Sequence, residues 1–253
     1  LELAVQDLRS VLETCPGEVA AVVLEPGMQG ASGMLTQPPG YVAAVRALTE
    51  EHDTLLILDE VAMGMGRSGK LFASETEGVV PDFIALAKGL TGGYLPLAAT
   101  LTHERIFEAF LGAPEEGRTF FHGHTFTGNA LGSAAALATL DLFEKPGFLE
   151  GLPGRGEALG ERLERLRRHP WVADIRRYGF AAGVELLADR ETGTGFESSE
   201  RVGARVCQAA GRLGVFLRPL GDVIVLMPPL TLNDAELDRL VEAIDQAISE
   251  VLA

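Results

Sequence analysis

Apolar positions along the chain recur at two spacings, and the dominant spacing changes from one segment to the next. The first thirteen residues, LELAVQDLRSVLE, set Leu, Ala and Val at helical intervals among Glu2, Asp7 and Glu13, which predicts an amphipathic helix and not a signal peptide. Val19–Pro26 (VAAVVLEP) is a near-continuous apolar run closed by Glu25 and reads as a buried strand. Tyr41–His52 returns to helical spacing after the start signal Pro38-Pro39-Gly40. Thr54–Val61 (TLLILDEV) predicts a strand ending in Asp59 and Glu60, and Asp82–Gly89 (DFIALAKG) a strand ending in Lys88. Leu95–Thr102 predicts a fourth, and Asn129–Lys145 a helix stopped by Pro146-Gly147.

Strands that are apolar on both faces and alternate with helices indicate an α/β fold with a mostly parallel sheet covered by helices. Ligands bind such sheets beyond the carboxyl ends of the strands, which is where Glu25, Asp59-Glu60 and Lys88 are expected. After Pro146 the pattern changes. A charged helix is predicted over Arg155–His169, paired strands around glycines over Arg176–Leu187, and a helix over Glu197–Leu213. Two short strands joined at Pro219–Asp222 follow, then a final helix capped by Asn233 with Glu236 three residues on. The expected division is therefore 1–146, part of a large α/β domain, and 147–253, a small α+β domain.

Composition narrows the function. The chain has 253 residues, 47% apolar and 23% charged, ordinary for a folded domain, with a formal net charge of -15. A nucleic-acid partner needs a basic footprint and is excluded on charge. The basic residues of 162–168 alternate with Glu164 and leucines, as on an exposed helix face. No apolar run has the length of a membrane span. Cys15 and Cys207, two and far apart, argue against a disulfide framework and for thiols in a reducing, cytoplasmic compartment. The chain has no initiator Met and begins in mid-pattern, as a fragment would.

Several side chains are candidates for chemistry. Lys88, after an apolar run and before Gly89, is either a surface lysine at a strand end or an amine activated by burial that forms an imine with an aldehyde. Glycines and Thr91 nearby would let a flat cofactor approach and would offer groups to its phosphate. Asp59 either caps or salt-bridges, or it meets a protonated ring nitrogen. Glu60 next to it is expected to face the other way. Met63–Phe72 (MGMGRSGKLF) reads as a flexible turn in which Arg67 pairs an acid or holds a subunit contact; it lacks the P-loop spacing because Leu71 follows Lys70. In FFHGHTFTGN (120–129), Thr125 or Thr127 is a phosphate contact or a plain helix cap. His122 and His124 lack a third metal ligand at compact spacing. Arg218 offers a bidentate clamp for a carboxylate or an internal salt bridge.

The stretches LEPGMQGASGM, LLILDEVAMGMGRSGKLFA, PDFIALAKGLTGGYLPLAAT and FFHGHTFTGN, in this order, resemble the class III (subgroup II) aminotransferases of fold type I, over nearly the whole chain. The resemblance implies a pyridoxal-phosphate enzyme, with this chain as its C-terminal part and the glycine-rich phosphate cup in an N-terminal portion not present. It implies Lys88 as the Schiff-base lysine and Asp59 as partner of the pyridine nitrogen. Val61 would lie on a face of the ring. Thr125 would contact the phosphate of a cofactor held mainly by a second subunit, in a homodimer with the site at the interface. Glu25 would lie near the substrate pocket. Within the family the chain is most similar to the branch that aminates 8-amino-7-oxononanoate in biotin biosynthesis, with S-adenosylmethionine or lysine as donor. There, Arg218 would bind the keto acid's carboxylate and Gly123 would lie near it. Ala62 stands where many ornithine-type relatives have glutamine, which favours this branch over acetylornithine, 4-aminobutyrate or ω-amino-acid aminotransferases. A non-catalytic fragment that pairs with a missing half is the alternative from another class.

Overall fold

A computed structural model describes residues 1–252. In chain order the helices and strands are α1 (Glu2–Thr14), β1 (Ala21–Leu24), β2 (Met28–Gln29), β3 (Leu35–Thr36), α2 (Tyr41–Glu51), β4 (Leu55–Asp59), β5 (Phe83–Leu86), β6 (Ala99–Thr102), α3 (Glu104–Glu108), α4 (Ala130–Phe143), α5 (Phe148–Leu163), β7 (Val172–Tyr178), β8 (Ala181–Leu186), α6 (Val202–Arg212), β9 (Arg218–Leu220), β10 (Val223–Leu226) and α7 (Asp234–Leu252). They form two compact units. Unit 1 comprises Leu1–Pro26, Pro38–Met65 and Leu71–Leu149, and unit 2 comprises Gly27–Gln37, Gly66–Lys70 and residues 150 onward.

Unit 1 is built on a four-stranded sheet in the order β1-β4-β5-β6. The first three strands are parallel, with Leu24 opposite Leu58 and Asp59 opposite Ala85. β6 is antiparallel to β5, with Leu86 opposite Ala99, so the mostly parallel sheet read from the sequence ends in one reversed strand. Val42 and Val45 of α2 pack with Leu56 and Leu58 of β4, and Leu8 of α1 joins them. The start of α2 is held by Glu77, whose carboxylate accepts the N–H groups of Gly40 and Ala43, both at 2.8 Å, an anion at the positive end of a helix. Below β5 a second carboxylate is deeply buried: Asp82 accepts from the N–H of Leu56 at 2.8 Å, from Arg46 at 2.8 Å and from Arg105. Burial alone would raise the Asp82 carboxyl's pKa. The hydrogen bonds and the two arginine charges outweigh it and hold the group below the ordinary carboxylate value.

Unit 2 has an antiparallel sheet in the order β7-β8-β10-β9. Its core joins Leu159 and Leu163 of α5, Val184 of β8, Ile224 of β10, Val206 of α6 and Val241 and Ile244 of α7. The expected capping box starts α7: Asn233 accepts from the Glu236 N–H at 3.0 Å and Glu236 accepts from the Asn233 N–H at 2.8 Å. One prediction needs correction, and one element was not predicted. The charged helix begins at Phe148 and not at Arg155; it runs through Pro153, whose missing N–H removes one bond in its second turn, and its end, Glu164–Arg168, tightens to a 3-10 helix. The glycine-rich stretch before Thr36, for which the sequence pattern gives no element, is a hairpin of β2 and β3, with Met28 opposite Thr36.

Candidate active site

The parallel register of unit 1 sets three polar residues side by side. Leu24 is level with Leu58, and Asp59 with Ala85, so Glu25, Asp59 and Lys88 follow the carboxyl ends of three adjacent strands. This is the sheet edge at which the sequence placed them.

Asp59 is half-buried, and its Oδ1 accepts the Val61 N–H at 3.0 Å. Among the described residues no cation pairs with it, so the strand delivers a carboxylate with acceptor capacity to spare. Val61 is half-buried beside it. Glu60 does face away. It is 1% exposed and accepts the N–H groups of Ala73 at 2.6 Å and Ser74 at 2.8 Å, pinning the following turn. Burial raises its pKa, and those two N–H donors offset part of the rise. Adjacent acids of one dipeptide thus divide the work, one structural and one free.

Lys88 departs from the sequence reading in one respect. The strand stops at Leu86 and Lys88 opens a 3-10 turn, Lys88–Thr91, with a left-handed backbone at φ 42°. Of the two readings of its side chain, exposed or buried, the structure has it exposed. A left-handed lysine costs about 1 kcal/mol or more, and the cost is borne where the chain must turn the amine out of the strand direction. Met65, also left-handed at φ 52°, packs beneath the next residue; a Cβ on Gly89 would lie 2.7 Å from the Met65 Cβ. Gly89 therefore admits Met65, and not a flat cofactor as the sequence suggested. Thr91 is similarly committed, since its buried hydroxyl donates to the Leu95 carbonyl at 2.5 Å.

Gly123 and Thr125 lie on an exposed loop before α4. The cap of α4 is neither threonine but Asn129, whose side chain accepts the Gly132 N–H at 2.7 Å; the Thr127 hydroxyl accepts the His124 N–H at 3.0 Å. Thr125 carries no such duty. Phe110, Phe120, His122 and His124 form a row of rings with successive centroids 5.1, 5.3 and 5.3 Å apart. Among the described residues no group of three or more His, Cys, Asp or Glu is placed to hold a metal ion, and no helix is long and apolar enough to cross a membrane.

In unit 2, Arg218 is exposed at the start of the edge strand β9, and its side chain makes no hydrogen bond or ion pair among the described residues. Of the two readings of Arg67, the pairing with an acid is not found among the described residues. Its guanidinium donates to the carbonyls of Phe180 at 3.0 Å and Pro228 at 2.5 Å and lies 6.0 Å from the centre of the Phe180 ring, while Phe180 N–H returns a bond to the Arg67 carbonyl at 2.8 Å. Burial pushes its pKa down to about 10, and it still stays charged at neutral pH. The turn read as flexible is fixed by this arginine, a role for which one sequence offers no signal beyond glycine spacing.

The family model for class-III aminotransferases matches residues 1–248. The adenosylmethionine-8-amino-7-oxononanoate aminotransferase of Geobacter sulfurreducens is 51% identical over 245 residues, covering 97% of this chain and 54% of that protein. The protein of the same name from Nitratidesulfovibrio vulgaris is 55% identical over 234 residues, covering 92% and 43%. Among solved structures, that of the enzyme of this name from Methanocaldococcus jannaschii has a TM-score of 0.95 at 41% identity, covering 98% of this chain and 58% of that one. An (S)-enantioselective omega-transaminase from Thermomicrobium roseum has a TM-score of 0.91 at 36% identity, covering 98% and 55%. The chain spans about half the length of the curated relatives it matches.

Proposed function

Because the chain belongs to the class-III aminotransferases, a pyridoxal-phosphate-dependent family, we propose that it carries the lysine-bearing half of an enzyme that transfers an amino group to 8-amino-7-oxononanoate, giving 7,8-diaminononanoate for biotin synthesis, with S-adenosylmethionine or lysine as donor. The observation that carries this reading is the pair Asp59 and Lys88 after adjacent parallel strands, both without an ion-pair partner among the described residues. These residues fit the ring-nitrogen and aldehyde ends of pyridoxal phosphate. When bound, that group supplies an aldehyde to hold amines and a ring that takes up the electron pair released at the substrate carbon.

In this reading the Lys88 amine holds the cofactor covalently between turnovers and then carries the proton at the substrate carbon. The Asp59 carboxylate keeps the ring nitrogen protonated, and Val61 packs against the ring. Thr125 contributes its hydroxyl to the phosphate. Arg218 binds the carboxylate of the keto acid, with Gly123 near it, and Glu25 lines the substrate pocket. Residues 1–146 serve as the cofactor domain and 147–253 as the small domain. The enzyme works as a cytoplasmic homodimer. Support for the dimer is the uncovered apolar surface of unit 1, where Leu131 and Leu137 of α4 and the loop residues Phe121 and Phe126 are each more than half exposed.

The test is the visible spectrum of the protein with pyridoxal phosphate, beside Lys88→Ala. A band present only with Lys88, bleached by S-adenosylmethionine or lysine and restored by 8-amino-7-oxononanoate, is expected. A band restored instead by a different keto acid or aldehyde would move the reading to the omega-transaminase branch.

A further inference from the structure

One face of the unit 2 sheet carries two arginines in very different states. The register sets Arg176, Gly183, Val225 and Arg218 in one row across all four strands, since Arg176 is opposite Gly183, Gly183 opposite Val225, and Val225 opposite Arg218. Their neighbours along the strands, Ile175, Val184 and Ile224, turn to the other face and into the core. At one end of the row the terminal guanidinium nitrogens of Arg176 are engaged: they bond Asp174 at 3.2 Å, Glu185, and the carbonyl of Gly33 at 2.8 Å. The hairpin of β2 and β3 covers this end. Its buried Met34 sits on Gly183, where a Cβ would come within 2.7 Å of the Met34 Cβ.

At the other end the row is open. The Arg218 side chain has no hydrogen bond or ion pair among the described residues, in a chain whose net charge is -15 and which does not lack acids to offer one. Two residues before it stands Phe216, 96% exposed. Val215 and Leu217 pack on the core, so the alternation of the extended chain sends Phe216 and Arg218 to the same outward side. A solvent-facing phenylalanine is unusual in this unit, where only Leu35 and Leu213 are the other large apolar side chains exposed among the described residues.

We propose that Phe216, with Val225 as floor, is the specificity-determining wall of the Arg218 site, selecting carboxylates that continue into an aliphatic chain. The inference rests on the reading of Arg218 as the carboxylate anchor and adds the element that measures what lies behind the carboxylate. Arg218 takes the two oxygens as a planar fork, and the ring shelters the methylenes next to them. A buried methylene is worth about fourfold in affinity. One ring and one valine cover only part of a long chain, so the expected gain is about tenfold and not the full product.

The test is calorimetric titration of the protein with propanoate, hexanoate and nonanoate, for the unaltered chain, Phe216→Ala and Arg218→Gln. Both side chains are exposed, so both variants are expected to keep the parent's thermal midpoint. The proposal expects nonanoate to bind about tenfold tighter than propanoate, the ratio to fall below about threefold in Phe216→Ala with propanoate unchanged, and all three acids to weaken at least tenfold in Arg218→Gln. If Arg218→Gln loses the acids while Phe216→Ala keeps the full ratio, the wall is overturned and the anchor stands. If Arg218→Gln binds the acids as before, the anchor itself fails and the wall with it. Equal or absent binding of the three acids by the unaltered protein overturns the wall, as does a Phe216→Ala variant altered only in self-association.

Discussion

In unit 2 the sheet β7-β8-β10-β9 has α6 and α7 on one face and the β2–β3 hairpin on part of the other, and nearly all its large apolar side chains are covered. In unit 1 the sheet β1-β4-β5-β6 has α1 and α2 over β1 and β4, yet Leu131, Leu137, Leu140 and Leu142 around α4, and Phe107, Phe110, Phe120, Phe121 and Phe126 near it, face solvent. The polar groups divide in the same way. Unit 2 consumes Arg67, Arg155, Arg162 and Arg176 in internal bonds and leaves Arg218, like Arg201 and Arg239, without a side-chain bond among the described residues. Unit 1 consumes Asp82 and Glu60 and leaves Asp59 and Lys88 free at neighbouring strand ends. The difference teaches where to look for function. Unit 2 is a nearly closed apolar frame, and unit 1 holds the unpaired Asp59 and Lys88 together with most of the exposed large apolar side chains among the described residues.

The sharpest way to break this contrast is to remove the free groups of unit 1. Lys88→Ala is expected to lower amino transfer by at least about 10³-fold while leaving the thermal midpoint unchanged or slightly raised, because alanine relaxes neither a salt bridge nor a core contact. An activity within tenfold of the parent in a rate assay would place the chemistry elsewhere. Next come the consumed groups. Asp82→Asn is expected to cost about 3 kcal/mol by leaving Arg46 without its buried carboxylate, measured by urea unfolding. Because the folded pKa of Asp82 is depressed, its stabilisation is present above the unfolded carboxylate value and is lost as pH falls through the folded one. The gap between parent and variant should therefore close on acidification; a gap independent of pH would contradict the charge argument. Arg67→Met should cost about 2 kcal/mol through two stranded carbonyls, read as faster hydrogen exchange around Phe180 and Pro228.

Association is the next contrast. Leu137→Glu changes an exposed position of α4, so it should leave unfolding unaffected and weaken self-association by roughly tenfold or more if α4 is a buried anchor. Sedimentation across a dilution series reads this directly, and an unchanged constant would move the interface off α4. The smallest effect belongs to unit 2: Asn233→Ala removes half of the capping box on α7 and should cost about 1 kcal/mol without altering activity.

Most of the fold and part of the site could be read from residue pattern, for identifiable reasons. The strands before Glu25, Asp59 and Lys88 are short apolar runs with polar ends, and that pattern is all a parallel sheet edge requires. Asn233 with Glu236 declared a helix start by spacing alone. The failures occur where tertiary contacts override local signals. The pattern starts the charged helix at Arg155, yet the helix runs through Pro153, which falls where one missing hydrogen bond is tolerated. The pattern gives no element over 27–37, where Met28 and Met34 are buried and the chain forms a hairpin. Gly89 reads as access for a ligand, and its lack of a side chain instead serves Met65. Lys88 reads as a strand-end residue, and it instead opens a 3-10 turn with a left-handed backbone.

The central claim is that Lys88 is the amine that holds the cofactor, and the chain's other lysines, Lys70 and Lys145, are its rivals. Incubation with pyridoxal phosphate, reduction with borohydride and peptide mass mapping decide among them. The account predicts the phosphopyridoxyl mass on Lys88 at near one equivalent, with Lys70 and Lys145 unlabelled. Label spread evenly over the three, or concentrated on Lys70 or Lys145, would contradict it.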